Sequence, residues 1–167
     1  MTRRRALAVT VTLAAAALIA GCGFHLQGRR VLPAVMRRPY IEASDQQSDF
    51  VHSLRRDLIG SGAHPTEDRK HATAVIHVHQ SVKRRVLSVS ATDRPTEYRV
   101  TYTVQFSVDA AGKTLLRRQM LTARRSYTFN ESLVLADEHE RTILTGAMGR
   151  ELADIVMRRL ASLRGGR

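Results

Sequence analysis

The chain has 167 residues, a formal net charge of +12 and a single cysteine, and it contains no tryptophan. A lone cysteine excludes an internal disulfide and a zinc site built on paired cysteines. The length allows one domain, and the aromatic content of 5% predicts an aliphatic core.

The first residues have the order of a lipoprotein signal. Three arginines at positions 3–5 precede an apolar run over residues 6–20, which is short for a bilayer span of about 20 residues. Small residues end this run directly before Cys22. We therefore predict cleavage after residue 21 and lipidation of Cys22, because two or three acyl chains give stable anchoring. The alternative is an ordinary signal peptide followed by an incidental cysteine.

The mature chain would remain strongly basic. Residues 1–21 contain three of the 27 basic residues and none of the 15 acidic ones, so their removal leaves a net charge of +9. Export excludes nucleic acid and leaves phospholipid head groups, lipopolysaccharide or an acidic protein surface as partners. Gly23 follows the cysteine, at a position where aspartate would favour retention at the inner membrane. We therefore predict that the protein is anchored to the cell outer membrane on its periplasmic side.

The first structural elements follow an N-terminal tether, predicted over residues 22–38. Residues 39–43 form a candidate edge strand. Ser48 is a suitable N-cap for a helix whose apolar residues recur at helical spacing and which ends at Gly60 to Gly62. Residues 63–71 are polar and predict a loop.

Three strands follow in the sequence. Residues 72–89 form an extended candidate, and residues 98–108 alternate strictly between apolar and polar side chains. Period two over this length predicts one face in the core and one in a polar setting. Residues 109–113 predict a hairpin connection, and residues 115–129 return as a fourth strand whose apolar parity is interrupted at Arg117 and Gln119, as at a bulge.

A long helix over residues 136–163 ends the domain, followed by a flexible tail at residues 164–167. Its predicted apolar stripe consists of Ile143, Leu144, Ala147, Met148, Leu152, Ile155, Val156, Leu160 and Leu163. The order of elements predicts a single α+β domain over residues 39–163. Its architecture would be a two-layer sandwich, with two helices packed on one face of a four-stranded sheet.

Basic residues recur on the predicted strands and in one turn between them. The candidates for binding an anionic head group such as lipopolysaccharide are Arg84, Arg85, Arg94, Arg124 and Arg125. Arginine matches phosphate bidentately, and neighbouring strands would bring several of these side chains onto one sheet. Alternation sends one member of each adjacent pair to each side of the sheet. The alternative is a solvated face whose charges prevent edge pairing.

Enzyme motifs are missing from the sequence. No glycine-rich phosphate loop, nucleophile elbow or paired-carboxylate pattern occurs. His77 and His79 share one side of a strand, but two ligands without a third are more typical of a polar sheet face than of a metal site. We therefore predict no catalytic residues, no metal and no cofactor.

Residues 22–28, Cys-Gly-Phe-His-Leu-Gln-Gly, resemble the start of the mature LptE family of lipopolysaccharide-assembly lipoproteins. The Thr-Glu-Tyr at residues 96–98 and the Tyr-Thr-Phe-Asn at residues 127–130 support the resemblance. It implies a two-helix, four-strand sandwich that acts as plug and assembly partner inside the outer-membrane β-barrel LptD. It also implies lipopolysaccharide binding through basic residues near the turn between the second and third strands. In this chain Arg94 is the only base of that turn, and Asp137 and Glu138 occupy the region after the fourth strand.

Two other function classes remain open. One is a basic peripheral envelope lipoprotein that binds anionic phospholipid or acts as a scaffold without a barrel partner. The other is a lipid-anchored periplasmic enzyme, against which the missing motifs count.

Overall fold

Four strands form one sheet in the computed structural model, which describes residues 31–129 and 134–163. In chain order the elements are β1 (Pro39–Ala43), α1 (Asp49–Gly60), β2 (Ala74–Val89), β3 (Pro95–Ala110), β4 (Lys113–Thr128) and α2 (Val134–Ala161). The spatial order is β1-β2-β3-β4, with β1 parallel to β2 and the other neighbours antiparallel. The predicted α+β class is confirmed.

Several predicted features lie outside the described residues. They are the leader at residues 1–21, Cys22 and the motif at residues 22–28, the tether up to residue 30, Asn130 and the tail at residues 164–167. Packing begins before residue 39, because Met36 is fully buried in a short 3-10 turn, Ala34–Met36, beside the half-buried Leu32 and Val35.

Helix α1 begins as predicted. The Ser48 hydroxyl oxygen accepts a hydrogen bond from the Val51 backbone N–H at 3.3 Å, and Asp49 lies in the first turn, where a carboxylate favours the positive helix end. The helix stops before Gly62, whose φ of 87° suits glycine. The apolar side of α1 is buried at Phe50, Leu54 and Leu58.

The alternation predicted for β3 is confirmed. Val100, Tyr102, Val104, Phe106 and Val108 are each at most 3% exposed, whereas the residues between them are half-buried. One face of the sheet therefore packs against the helices. We call this the covered face and the opposite one the open face.

The hairpin between β3 and β4 is tighter than predicted. Its strands extend to Ala110 and from Lys113, which leaves Ala111 and Gly112, with φ of 49° and 73°, as a two-residue turn. Positive φ at both positions matches the right-handed twist of the strands. The predicted interruption of β4 is a register shift between the pairs of Phe106 and Val108, opposite Arg117.

The apolar stripe predicted for α2 was partly wrong. Ile143 is 57% exposed and Ala147 is exposed, whereas Ala153 and Met157 are fully buried beside Met148, Leu152, Val156 and Leu160. The start of α1 lies against α2 at two glycines, where a Cβ on Gly146 would be 3.0 Å from Asp49 and one on Gly149 would be 3.1 Å from the backbone N of Phe50. Because the two helices approach closely at these glycines, the side of α2 that carries residues 149, 153 and 157 faces the core, and the side that carries Ile143 faces solvent.

Within the described part of the chain, helices are too short or too polar to cross a membrane.

Candidate functional site

The open face carries the polar side chains of the sheet. It consists of the odd-numbered positions of β2 and β3 and the even-numbered positions of β4 beyond the bulge, because the strand register places these residues opposite one another. Ser81, Thr103 and Thr122 form its central row. The two ends of the face differ in charge.

The end near the β2–β3 turn is basic. Lys83 pairs with Thr101, which pairs with Arg124, and in the next row Arg85 pairs with Arg99. We call these four exposed side chains, Lys83, Arg85, Arg99 and Arg124, the basic cluster. Adjacent strands lie about 4.8 Å apart, so the four cations share one patch that spans three strands.

The basic cluster lacks internal neutralisation. In the described ranges 31–129 and 134–163, the arginines that form ion pairs with carboxylates all lie outside the basic cluster. They are Arg55, Arg69, Arg125, Arg141 and Arg158. Glu97, the next position of β3 on this face, accepts a hydrogen bond from the Ser88 hydroxyl at 3.2 Å. Among residues 31–129 and 134–163, Glu97 is the carboxylate that borders these four cations, so the patch attracts anions. Three of its members have the planar guanidinium group that matches phosphate.

The structure separates the five arginines predicted from the sequence. Arg85 and Arg124 lie on the open face, within the basic cluster. Arg84 and Arg125 both pair with Val100 and therefore lie on the covered face. The prediction that alternation divides each adjacent pair is confirmed.

Arg84 and Arg125 already have partners on the covered face. The guanidinium carbon of Arg84 lies 4.5 Å from the centre of the Tyr98 ring, and Arg84 Nη1 donates to the Tyr127 hydroxyl at 3.4 Å. This hydrogen bond raises the pKa of the Arg84 guanidinium above its ordinary value. Arg125 Nη2 lies 2.7 Å from Glu151 Oε2 of α2. These contacts join the sheet to itself and to the helix layer.

Arg94 lies in the β2–β3 turn and on neither face. Its backbone closes the turn, since the Ser90 N–H donates to the Arg94 carbonyl at 2.7 Å and the Arg94 N–H donates to the Ser90 hydroxyl at 3.2 Å. Asp93, with φ of 57°, provides the left-handed step of the turn. The turn stands at the same end of the sheet as the basic cluster.

The opposite end of the open face carries carboxylates beside its basic groups. His77 lies between two carboxylates, with Nδ1 2.6 Å from Glu42 Oε2 and Nε2 3.1 Å from Asp109 Oδ2, and Arg69 pairs with Glu42 at 2.8 Å. An open groove of about 490 Å³ lies beside them, with His79 and Arg118 also in its wall. No group of three or more metal-ligating side chains converges anywhere in the described part of the chain.

Sequence reasoning missed two members of the basic cluster as site residues, Lys83 and Arg99. The signal for both was present, because Arg99 occupies a polar position of the strictly alternating strand and Lys83 precedes Arg84. Joining them into one patch required the pairing register, which the length and conformation of the β2–β3 turn determine.

A family model described as LptE, lipopolysaccharide-assembly, matches residues 36–160 of the chain. Curated relatives carry the name LPS-assembly lipoprotein LptE, and two of them serve as examples. The protein of Pectobacterium atrosepticum is 27% identical over 159 residues, which cover 93% of this chain and 86% of the relative. The protein of Photorhabdus laumondii is 28% identical over 160 residues, with the same coverage.

Solved structures agree with this match. The solution structure of lipoprotein B from Nitrosomonas europaea has a TM-score of 0.67 and 25% identity, and the match covers 84% of this chain and 91% of that one. The crystal structure of rare lipoprotein B from Shewanella oneidensis has a TM-score of 0.63 and 24% identity, covering 75% of this chain and 94% of that one. The second likeness concerns the fold alone.

Proposed function

The chain belongs to the LptE family and has a role in lipopolysaccharide assembly, and we propose that it fulfils this role as the partner and plug of an LptD-type β-barrel in the outer membrane. We further propose that it binds lipopolysaccharide on the open face. The observation that carries the lipopolysaccharide part is the basic cluster. It is a set of four exposed, adjacent cations at one end of the open face, next to a central row of serine and threonine.

The partnership with a barrel is supported by the polarity of the open face. A domain that enters the lumen of a membrane barrel meets a polar lining, so its outer surface needs polar side chains. The central row of the open face and its basic end satisfy this requirement. Large exposed apolar patches would instead promote aggregation before the partner arrives.

The binding of lipopolysaccharide is supported by charge and geometry together. Phosphate groups accept paired hydrogen bonds from arginine, and each such charged contact contributes roughly 1.5–3 kcal/mol before screening. The basic cluster provides three guanidinium groups that lack a carboxylate partner among the described residues, those of Arg85, Arg99 and Arg124. Arg84 and Arg125 instead stabilise the fold. The guanidinium group of Arg84 contacts Tyr98 and Tyr127, and that of Arg125 contacts Glu151.

The test reverses charge on the open face and, in a control, on the helix layer. Arg85→Glu with Arg124→Glu should weaken binding of purified lipopolysaccharide to the full chain by at least about tenfold at low salt, and should reduce the salt dependence. Arg150→Glu with Arg159→Glu changes the net charge equally at exposed positions of α2 and should leave binding nearly unchanged. Equal losses in both variants would contradict the proposed site, since net charge alone would then explain binding.

Co-expression with the barrel tests the partnership separately. The full chain should co-purify with an LptD-type barrel in a stoichiometric complex, and both double variants should retain it. A chain that purifies without the barrel and binds phosphatidylglycerol vesicles as tightly as lipopolysaccharide would instead support the peripheral-lipoprotein alternative.

A further inference from the structure

The far half of β2 is an edge strand. β1 pairs only with the part of β2 from Ala74 to Val78, whereas β3 pairs with β2 along nearly its whole length. Among the strands of the described ranges, none pairs with the outer edge of residues 81–87. This segment therefore has one paired and one unpaired edge.

Contacts near the end of β1 show which backbone groups face the unpaired edge. The Ser44 N–H donates to the Val78 carbonyl at 3.1 Å, and the Gln80 N–H donates to the Ser44 hydroxyl at 3.2 Å. Backbone groups of alternate residues point to the same edge of a strand. The N–H and C=O groups of Val82, Arg84 and Val86 therefore point outward, where they can template another strand.

The side chains beside this edge favour a strand-like ligand. Val82 is 45% exposed and Val86 is 50% exposed on the covered face, with Arg84 between them. Lys83 and Arg85 lie on the open face of the same segment. The register with β3 is uninterrupted through Val86, so the outward groups keep regular spacing.

Two other arrangements fit less well. The outer edge of β4 is also unpaired within the described residues, but the Arg124 carbonyl of this strand already accepts a hydrogen bond from Arg125 Nη1 at 2.9 Å, which an added strand would have to displace. Pairing two copies of the β2 edge in antiparallel fashion about Arg84 would place Arg84 opposite Arg84 and Lys83 opposite Arg85. Like charges directly opposite one another destabilise such a pair.

We propose that residues 81–87 bind an extended acidic segment of a partner polypeptide by β-strand addition. The partner's backbone pairs with Val82, Arg84 and Val86, its apolar side chains pack beside the two valines, and its carboxylates lie beside Lys83 and Arg85. The interaction goes beyond lipopolysaccharide binding. It shares Lys83 and Arg85 with the basic cluster, but it adds backbone hydrogen bonds at the edge of the sheet, which lipopolysaccharide binding does not use.

The test uses a peptide of alternating valine and glutamate long enough to span residues 81–87, added to the full chain in detergent. Amide hydrogen exchange should slow at Val82, Arg84 and Val86. The same peptide with N-methyl groups on alternate residues has equal charge but lacks the donors on one edge, and should bind at least about tenfold more weakly in whichever phasing blocks the pairing edge. An alternating valine–lysine peptide should not bind.

A variant checks the protein side. Val82→Pro removes an outward N–H and leaves the donors to β3 intact, so proline is tolerated there and peptide binding should be lost. Val82→Ala keeps the N–H and should lose less binding. The proposal is overturned if the alternating acidic peptide does not bind, if both N-methylated phasings bind as well as the parent, or if the three amides exchange at unchanged rates.

Discussion

Tyr102 brings a polar group into the core from the covered face of β3. The residue is 3% exposed, and its hydroxyl donates to Gln80 Oε1 at 2.7 Å. Burial raises the pKa of the Tyr102 phenol to about 12, because the phenolate would lose its hydration. The neutral phenol is therefore a structural group of this fold.

The raised pKa predicts a loss of stability in alkali. A tyrosine in the unfolded chain ionises near pH 10. The contribution of Tyr102 to the free energy of unfolding is therefore fully present below about pH 10 and is lost as the pH rises towards 12. Tyr102→Phe should remove a late step near pH 12 from the absorbance titration of the phenols. It should also flatten the fall in unfolding free energy above pH 10. A variant that loses a step near pH 10 and retains the late one would contradict the assignment.

The adjacent arginines show how far sequence reasoning reaches at the scale of single residues. Alternation predicts that Arg84 and Arg85 point to opposite sides, and so do Arg124 and Arg125. It does not predict which member is covered, because that depends on the strand register. Nor does it predict the contact of Arg84 with Tyr98 and Tyr127, which arises from pairing across three strands.

The contact between the two helices depends on a glycine. A Cβ on Gly149 of α2 would lie 3.1 Å from the backbone N of Phe50, and backbone cannot yield as a flexible side chain can. Gly149→Ala should therefore lower the free energy of unfolding by roughly 1–3 kcal/mol, although alanine favours helices. Chemical denaturation of the purified domain measures this change.

A second glycine provides the control. A Cβ added to Gly60, at the end of α1, would meet no neighbouring atom within 4 Å, and the φ of this residue is not positive. Gly60→Ala should be neutral or raise the unfolding free energy by up to about 1 kcal/mol. If both alanine variants behaved alike, the close approach of the helices would not be the cause.

Strand β3 tests the division of the sheet into two faces. Val104 is fully buried, and Thr103 beside it is half-buried on the open face, with its hydroxyl 3.4 Å from that of Thr122. Val104→Asp should unfold the domain, because burial of an unpaired carboxylate costs several kcal/mol. Thr103→Asp should be far milder in thermal denaturation. Similar losses from both would refute the alternation.

The elements themselves were predictable to different degrees. Strict alternation was sufficient for β3, and the N-cap signal was sufficient for α1. The inward side of α2 was predicted only in part. The close contact of Gly146 and Gly149 with α1 rotates the helix, and periodicity alone contains no information about the neighbouring helix.

At the scale of the whole molecule, charge is distributed along the open face. Its basic cluster lies near the β2–β3 turn, and at the other end the carboxylate of Glu42 lies beside His77 and pairs with Arg69. The sequence predicts a basic domain and its fold class. It does not predict which end of the open face is basic, because that depends on the parallel pairing of β1 and on the registers of the two hairpins.

Anchoring is a further prediction at this scale. Cys22 should carry acyl chains as the first residue of the mature chain, because small residues precede it and no other cysteine is available. Mass spectrometry of membrane-extracted protein measures the modification. An unmodified thiol, or cleavage elsewhere, would be inconsistent with a lipid anchor. Cys22→Ala behind an ordinary signal should yield a chain that is released from the membrane.

The most direct measurement is photocrosslinking on the open face in intact envelopes. A photoreactive amino acid replaces Ser126, which is exposed and pairs with Arg99 beside the basic cluster. The same amino acid at Arg150, exposed on α2, is the control. The proposed binding site predicts an adduct with lipopolysaccharide from position 126 well above that from position 150. Equal labelling at the two positions, or labelling from position 150 alone, would contradict lipopolysaccharide binding on the open face.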